Sequence, residues 1–215
     1  MGQAMNADEA CRILDVSRET KERLKAFVAV LKRWQKSINL VSRSTLDEVW
    51  GRHILDCGQV YRHITDTDAD VMDIGSGAGL PGLILAIMAA EKAAGGEAAR
   101  PVTLVESDER KCAFLSVAAR EVGVSVTVCN KRIEELAPGA PGVITARALA
   151  PLEKLLEWTA SQHHPGLECL FMKGANHAGE LTCLVNYPSI RPEIIPSLSS
   201  PEGVIIRLTG FDISE

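Results

Sequence analysis

Val71-Met72-Asp73-Ile74-Gly75-Ser76-Gly77-Ala78-Gly79-Leu80-Pro81-Gly82 is the stretch from which the rest of the chain is read. A buried strand runs into three glycines at alternate positions, and a helical apolar pattern follows over 80–91. Glycine is needed where the backbone takes a positive φ, or approaches a ligand more closely than a Cβ allows. The N-terminus of the next helix leaves N–H groups free for a carboxylate or a phosphate. The turn is therefore built to hold a cofactor with its backbone. Gly77 to Gly82 also fits G-x-G-x-x-G, the dinucleotide pattern, so the turn alone leaves two cofactor classes open.

Two acids bear on that choice. Asp73 stands two residues before the first glycine, where a carboxylate suits the methionine portion of a cationic sulfonium cofactor and is poorly placed beside a pyrophosphate. Glu106 ends the next apolar strand, Thr103-Leu104-Val105-Glu106. An acid there can bind both ribose hydroxyls, a role common to both cofactor classes. Asp73 thus favours S-adenosylmethionine, and Glu106 supports it without discriminating.

Outward from the turn, short apolar runs at 71–74, 102–105, 124–128, 142–145, 167–172 and 204–208 alternate with helical stretches at 80–91, 109–122, 151–162 and 176–184. That alternation predicts a mostly parallel α/β sheet covered on both faces. The Ala/Gly-rich stretch 91–101 reads as a lengthened loop. Upstream, Leu24, Phe27, Val28, Leu31, Trp34 and Ile38 form one helical stripe. A second runs from Leu46 to Tyr61, with Ser44 or Thr45 as its expected N-cap. The chain divides into an N-terminal helical extension, 1–65, and a catalytic sheet domain, 66–215. Trp34, Trp50 and Trp158 read as core residues.

The 215 residues carry 23 basic and 28 acidic side chains, yet residues 18–62 hold 10 basic against 5 acidic. A basic front on an acidic body permits an RNA or phosphate contact through Lys32, Arg33, Lys36 and Arg52. The cysteines at 11, 57, 112, 129, 169 and 183 form no Cys-x-x-Cys pair and no zinc-ligand spacing. They read as free thiols of a cytoplasmic protein with no metal. No apolar run reaches the ~18 residues of a membrane span.

Further motifs fall at the expected carboxyl ends of strands, where open α/β sheets bind ligands. They are Arg110-Lys111-Cys112-Ala113-Phe114-Leu115, Asn130-Lys131-Arg132-Ile133-Glu134-Glu135, Thr145-Ala146-Arg147-Ala148 and Lys173-Gly174. Together with the glycine turn, Trp34-Gln35-Lys36-Ser37-Ile38-Asn39-Leu40 and Arg52-His53-Ile54-Leu55-Asp56, this order resembles the ribosomal RNA small-subunit methyltransferase G family, also called glucose-inhibited division protein B. Cys57 departs from it, standing where members usually have Ser.

The resemblance implies a Rossmann-like S-adenosylmethionine-dependent methyltransferase fold, with a mostly parallel seven-stranded sheet. It implies methyl transfer to N7 of a guanine in 16S ribosomal RNA, within the small ribosomal subunit. It also implies cofactor contacts at Gly75 and Leu80, Ile133 and Glu134 beside the adenine, and Arg147 near the reaction centre as the candidate catalytic residue. The residues themselves add Asp73, Gly77, Gly79 and Glu106 to the cofactor set, and Lys173 to the RNA set. Guanine N7 has a lone pair and no proton, so its methylation needs no general base. An Asn/Asp-Pro-Pro-Tyr/Phe motif after strand four would point to an exocyclic amine, and a Pro-Cys to cytosine; neither is present. Arg147 could hold a phosphate or guanine O6 through its planar fork, or make a structural salt bridge. His53, on an apolar stripe, is either a core histidine or part of a lid on the cofactor pocket. A methyltransferase of small molecules or proteins and a nicotinamide-dependent oxidoreductase are the competing readings.

Overall fold

In the computed structural model, which describes residues 4–66, 68–94 and 100–211, the glycine turn follows a short strand, β1 (Val71–Ile74). The other strands are β2 (Val102–Glu106), β3 (Thr127–Asn130), β4 (Val143–Arg147), β5 (Glu168–Lys173), β6 (Arg191–Pro196) and β7 (Val204–Thr209). They form one sheet in the order β3-β2-β1-β4-β5-β7-β6. β1 to β5 run parallel, and β7 runs antiparallel to both β5 and β6. Strand order reverses between β1 and β4, and an open sheet of this kind opens a crevice beyond the carboxyl ends of the strands at such a point.

The N-terminal helices are α1 (Ala7–Leu14), α2 (Arg18–Trp34) and the single turn α3 (Asp56–Gly58). The sheet's helices are α4 (Gly82–Ala94), α5 (Glu109–Val122), α6 (Leu152–Thr159) and the short α7 (His177–Glu180). α2 starts where the Ser17 hydroxyl accepts a hydrogen bond from Thr20 N at 3.2 Å, and it lies on α4 and α5. Trp34 meets Phe114 edge-on, with ring centroids 5.9 Å apart. Such a pair contributes about 0.5–1.5 kcal/mol beyond its area burial. Leu24, Phe27 and Leu31 share one hydrophobic cluster with Leu83, Ile84 and Phe114, so the extension and the sheet bury a common core. A second cluster, with Ile74, Ile144, Leu155 and Phe171, fills the face under α6.

Several sequence expectations shift. β3 begins at Thr127, three residues late, because Gly123 ends α5 at φ +70° and Val124 N still bonds back to Ala119 O at 3.0 Å. β6 was not anticipated. Its run Arg191-Pro192-Glu193-Ile194-Ile195-Pro196 lacks alternation and carries two prolines, which only an edge strand tolerates. The second apolar stripe is not one α-helix. A 3-10 turn (Arg43–Thr45) precedes it, and the stripe itself falls on a π-helix (Trp50–Leu55), α3 and a 3-10 segment (Gln59–His63). Ser44 and Thr45 cap nothing: the 3-10 turn follows Ser42, and the Thr45 hydroxyl bonds Ser42 O and His53 Nε2, both at 2.8 Å. α4 runs on to Ala94, into the stretch read as a loop, of which residues 95–99 lie outside the described ones. The helix expected over 176–184 is only α7 followed by a 3-10 segment, Leu181–Asn186.

Candidate functional site

A cavity of about 520 Å³ opens at the switch point. Its floor is the turn after β1, where Gly75 and Gly77 take φ of +65° and +52°. A Cβ added at Gly77 would meet only Gly75 O, at 3.8 Å, so that side of the turn faces open space. Leu80, Glu106, Ile133, Glu134 and Arg147 also line the cavity. The buried Glu106 is held from two sides: Oε2 accepts from Gly77 N and Oε1 from Asp108 N, each at 2.9 Å. Asp108 in turn caps α5, accepting from Arg110 N and Lys111 N. The acid at the end of β2 is thus oriented by the glycine turn itself.

Asp73 and Gly79 are not part of the cavity wall, contrary to expectation. Strand alternation turns Asp73 inward, where it is fully buried. Its Oδ2 accepts from Gly82 N at 3.1 Å and its Oδ1 from the Thr145 hydroxyl at 2.8 Å. Burial raises its pKa to about 6, against the opposing pull of those hydrogen bonds. Asp73 therefore ties β1 to the start of α4 and to β4, beneath the site. Gly79 makes room for packing, since a Cβ there would come within 2.8 Å of Leu83.

Arg147, at the end of β4, is held by the N-terminal extension. Its Nε donates to Asp56 Oδ2 at 3.0 Å, one terminal nitrogen to Arg52 O at 2.8 Å, and the other lies 3.1 Å from His53 Nδ1. Arginine has no acceptor, so His53 Nδ1 must accept and His53 Nε2 must carry the proton it gives to Thr45. The imidazole is neutral. Burial, then the charges of Arg147 and Arg52, lower its pKa to about 4. Asp56 Oδ1 accepts from Gln59, Ser197 and Ser199. Of the readings open for Arg147, the structural salt bridge is the one formed, with its carboxylate partner Asp56 inside the chain. The π-helix makes this possible, since its wider turn brings Arg52 O, His53 and Asp56 to one guanidinium. His53 is a buried core residue that also lines the cavity.

Leu40, Val41, Ser42 and Thr45 close the cavity on the side of the extension. Gln35 shapes that loop: its Oε1 accepts from Leu40 N and Val41 N, both at 3.0 Å, and its Nε2 donates to Val41 O at 2.9 Å. None of this lid was singled out as site, although it follows the Trp34–Leu40 motif. Trp158, read as core, borders the cavity as well as packing, from α6, against the second hydrophobic cluster. Of the basic residues proposed for RNA, Lys32, Arg33 and Lys36 are exposed on α2 or just beyond it, away from the cavity. Arg33 is already paired with Glu121. Arg52 and Lys173 border a second, adjoining cavity. Among the described residues the cysteines are unpaired, no group of three or more His, Cys, Asp or Glu could hold a metal, and no helix is long and apolar enough to cross a membrane.

The family model for rRNA small subunit methyltransferase G matches residues 20–200. The chain belongs to that family. It is 45% identical to the ribosomal RNA small subunit methyltransferase G of Paramagnetospirillum magneticum, over 95% of each chain. With the Ruegeria sp. protein of the same name it shares 47% identity over 93% of this chain and 95% of the relative. Among solved structures, a putative class I S-adenosylmethionine-dependent methyltransferase from Listeria monocytogenes superimposes with a TM-score of 0.60 at 12% identity, over 94% of this chain and 71% of that one. The Synechocystis magnesium protoporphyrin IX methyltransferase, solved with bound S-adenosylmethionine, gives 0.58 at 12%, over 90% and 97%. At that identity the superpositions speak for the fold, which is the Rossmann-like methyltransferase fold expected. As a member of the family the protein is an S-adenosylmethionine-dependent methyltransferase. The cavity suits that cofactor: open space over Gly77 lies beside a fixed carboxylate at the end of β2.

Proposed function

We propose that the protein transfers a methyl group from S-adenosyl-L-methionine to N7 of a guanine in 16S ribosomal RNA, within the small ribosomal subunit. The bound cofactor supplies a methyl group on a positively charged sulfur. Glu106 would take the ribose hydroxyls, the backbone at Gly75 and Gly77 the methionine portion, and Ile133 with Glu134 the adenine, with Leu80 packing beside them. The lid from Leu40 to Thr45 excludes water, so that positioning supplies much of the rate.

The observation that carries the reading is the state of the groups beside the strand ends. Both His53 nitrogens are engaged, and Asp56 is committed to Arg147 and to three further donors. Neither is poised to remove a proton. Guanine N7 offers a lone pair and carries no proton, so the chain has none to remove. Arg147 acts here as a positioning residue. It fixes the extension against the end of β4, and with it the relation between lid and cofactor turn. Lys32, Lys36 and Arg52 are the side chains offered to RNA phosphates. Methyl-labelled cofactor incubated with small subunits, free 16S RNA and a protein extract tests the reading. Label recovered as 7-methylguanosine from subunits is expected; label in protein, or in another nucleoside, would contradict it.

A further inference from the structure

The second cavity, of about 470 Å³, shares Arg147, Ala148 and Leu149 with the first, so these three residues partition the two. The partition is locally strained and firmly seated. Ala148 has φ +51°, a left-handed conformation that a side chain disfavours. Leu149 packs on the cofactor turn so closely that a Cβ at Gly75 would lie 2.5 Å from it.

Beyond the partition, the second cavity is bordered by Lys173 and Glu180. The Lys173 side chain is only 8% exposed, a depth at which an ammonium must be paired. Its Nζ donates to Ala150 O at 2.6 Å and to Glu180 Oε2 at 2.7 Å. That same Oε2 accepts from Leu152 N at 2.7 Å, which caps α6. Both side chains are thus fixed from behind. An ammonium has three donors, and two are engaged. Glu180 Oε1 accepts from no other described residue. The wall therefore sets one charged donor beside one charged acceptor, both in fixed positions.

We propose that this pair reads the Watson–Crick edge of the target guanine, extruded from its RNA into the second cavity. The assignment rests on the reading that guanine is the methyl acceptor. Guanine presents an acceptor, O6, followed by two donors, N1–H and the 2-amino group. Lys173 donates to O6 and Glu180 Oε1 accepts from the two donors. Adenine and cytosine present a donor amine to Lys173 and a bare ring nitrogen to Glu180, which sets donor against donor and acceptor against acceptor. N7 lies on the other side of O6 from N1, so a guanine held by this edge keeps N7 unobstructed. Arg52, exposed at the rim, is placed for the accompanying phosphate.

The test is nucleotide binding by the full chain saturated with S-adenosylhomocysteine, followed by NMR titration with GMP, IMP and AMP. IMP lacks only the 2-amino group. GMP is expected to bind about tenfold more tightly than IMP, as loss of one charge-assisted hydrogen bond implies, and AMP more weakly still. Glu180→Gln keeps the shape and the acceptor facing Leu152 but reverses the polarity at Oε1. It should abolish the preference for GMP over IMP, with thermal melting confirming its fold. Equal or undetectable binding of the three nucleotides by the wild-type chain would overturn the assignment, whatever the methylation assay gives. So would an unchanged preference in folded Glu180→Gln. GMP selectivity without methylation of RNA guanine would instead leave the pocket standing and remove the proposed reaction.

Discussion

The two cavities either side of Arg147 are made from different materials. The first is bounded largely by backbone and strand ends: the turn at Gly75 and Gly77, Glu106 pinned by Gly77 N, and the segment after β3. The second is bounded by side chains that meet from far apart in the chain. Asp56 reaches Arg147 across 91 residues and Ser197 across 141, and Glu180 reaches back to cap α6. A backbone site tolerates few substitutions but needs few partners. A side-chain site depends on every partner in its network, and its failures should spread to stability.

The sharpest way to break this contrast is Asp56→Ala. It leaves Arg147 half-buried with no carboxylate, and takes the Oδ1 acceptor from Ser197 and Ser199, while Gln59 keeps its bonds to the residue 56 carbonyl and to Ser197. Removing one member of such a pair costs roughly 3 kcal/mol, at the low end for buried pairs because both side chains retain some exposure. Urea denaturation should show that loss, with methyl transfer falling at least as far as stability. A stable, active variant would mean that the extension is held by its apolar core alone.

A second test separates Asp73 from the cavity. Its raised pKa means its contribution is present below the ordinary carboxylate value and is lost as pH rises through about 6. His53 runs the other way. Its lowered pKa gives stability that is present above 6.5 and lost as pH falls through about 4. Between about 4 and 6 the two oppose each other. In Asp73→Asn the opposing Asp73 contribution is gone, and stability should fall by roughly 2–3 kcal/mol more on acidification across that window than in the wild type. Identical pH profiles would show that burial does not govern Asp73. Cofactor affinity, measured at pH 8, should hardly change.

Gly77→Val is the matching experiment on the first cavity. Its Cβ branches enter the open space over the turn at a φ that suits glycine. Calorimetry should find S-adenosylmethionine affinity lowered at least about tenfold, with the fold retained. Wild-type affinity in a folded variant would move the cofactor off this turn.

How legible each region was follows from the same contrast. β1, its glycines and the acid at the end of β2 form short contiguous strings, so the first cavity could be read directly. The role of Asp73 was misread because its distance from the glycines does not reveal which face of β1 it occupies. β6 escaped because its prolines and exposed isoleucine obey edge-strand rules rather than alternation. The lid was hidden in Gln35, whose hydrogen bonds to Leu40 and Val41 leave no sequence signature. Asp56 stood inside a recognised motif, yet nothing in its spacing indicated Arg147 as partner. Lys173 was read as an RNA cation, and its partner Glu180 lies in the stretch read as helix over 176–184, where nothing in its spacing indicated Lys173.

The smallest expected effect lies on the basic front. Reversal of Lys32 and Lys36 to Glu should weaken RNA binding and flatten its salt dependence, by up to about one unit of slope for each phosphate no longer neutralised. Arg33→Glu should do less, because Arg33 already pairs with Glu121. Equal effects at the three positions would show that the Arg33 pair opens on RNA; no effect at any would leave them a solvated face.

Arg147 fixes the partition between cofactor and base without itself transferring a proton. Arg147→Lys keeps the charge and loses the planar fork that joins Asp56, His53 and Arg52 O. The measurement is single-turnover methylation of small subunits, with titration of S-adenosylmethionine on the same variant. Transfer should fall at least about tenfold, or ~1.4 kcal/mol, with a smaller loss of cofactor affinity. Wild-type transfer by the lysine variant, or equal losses in rate and affinity, would contradict it.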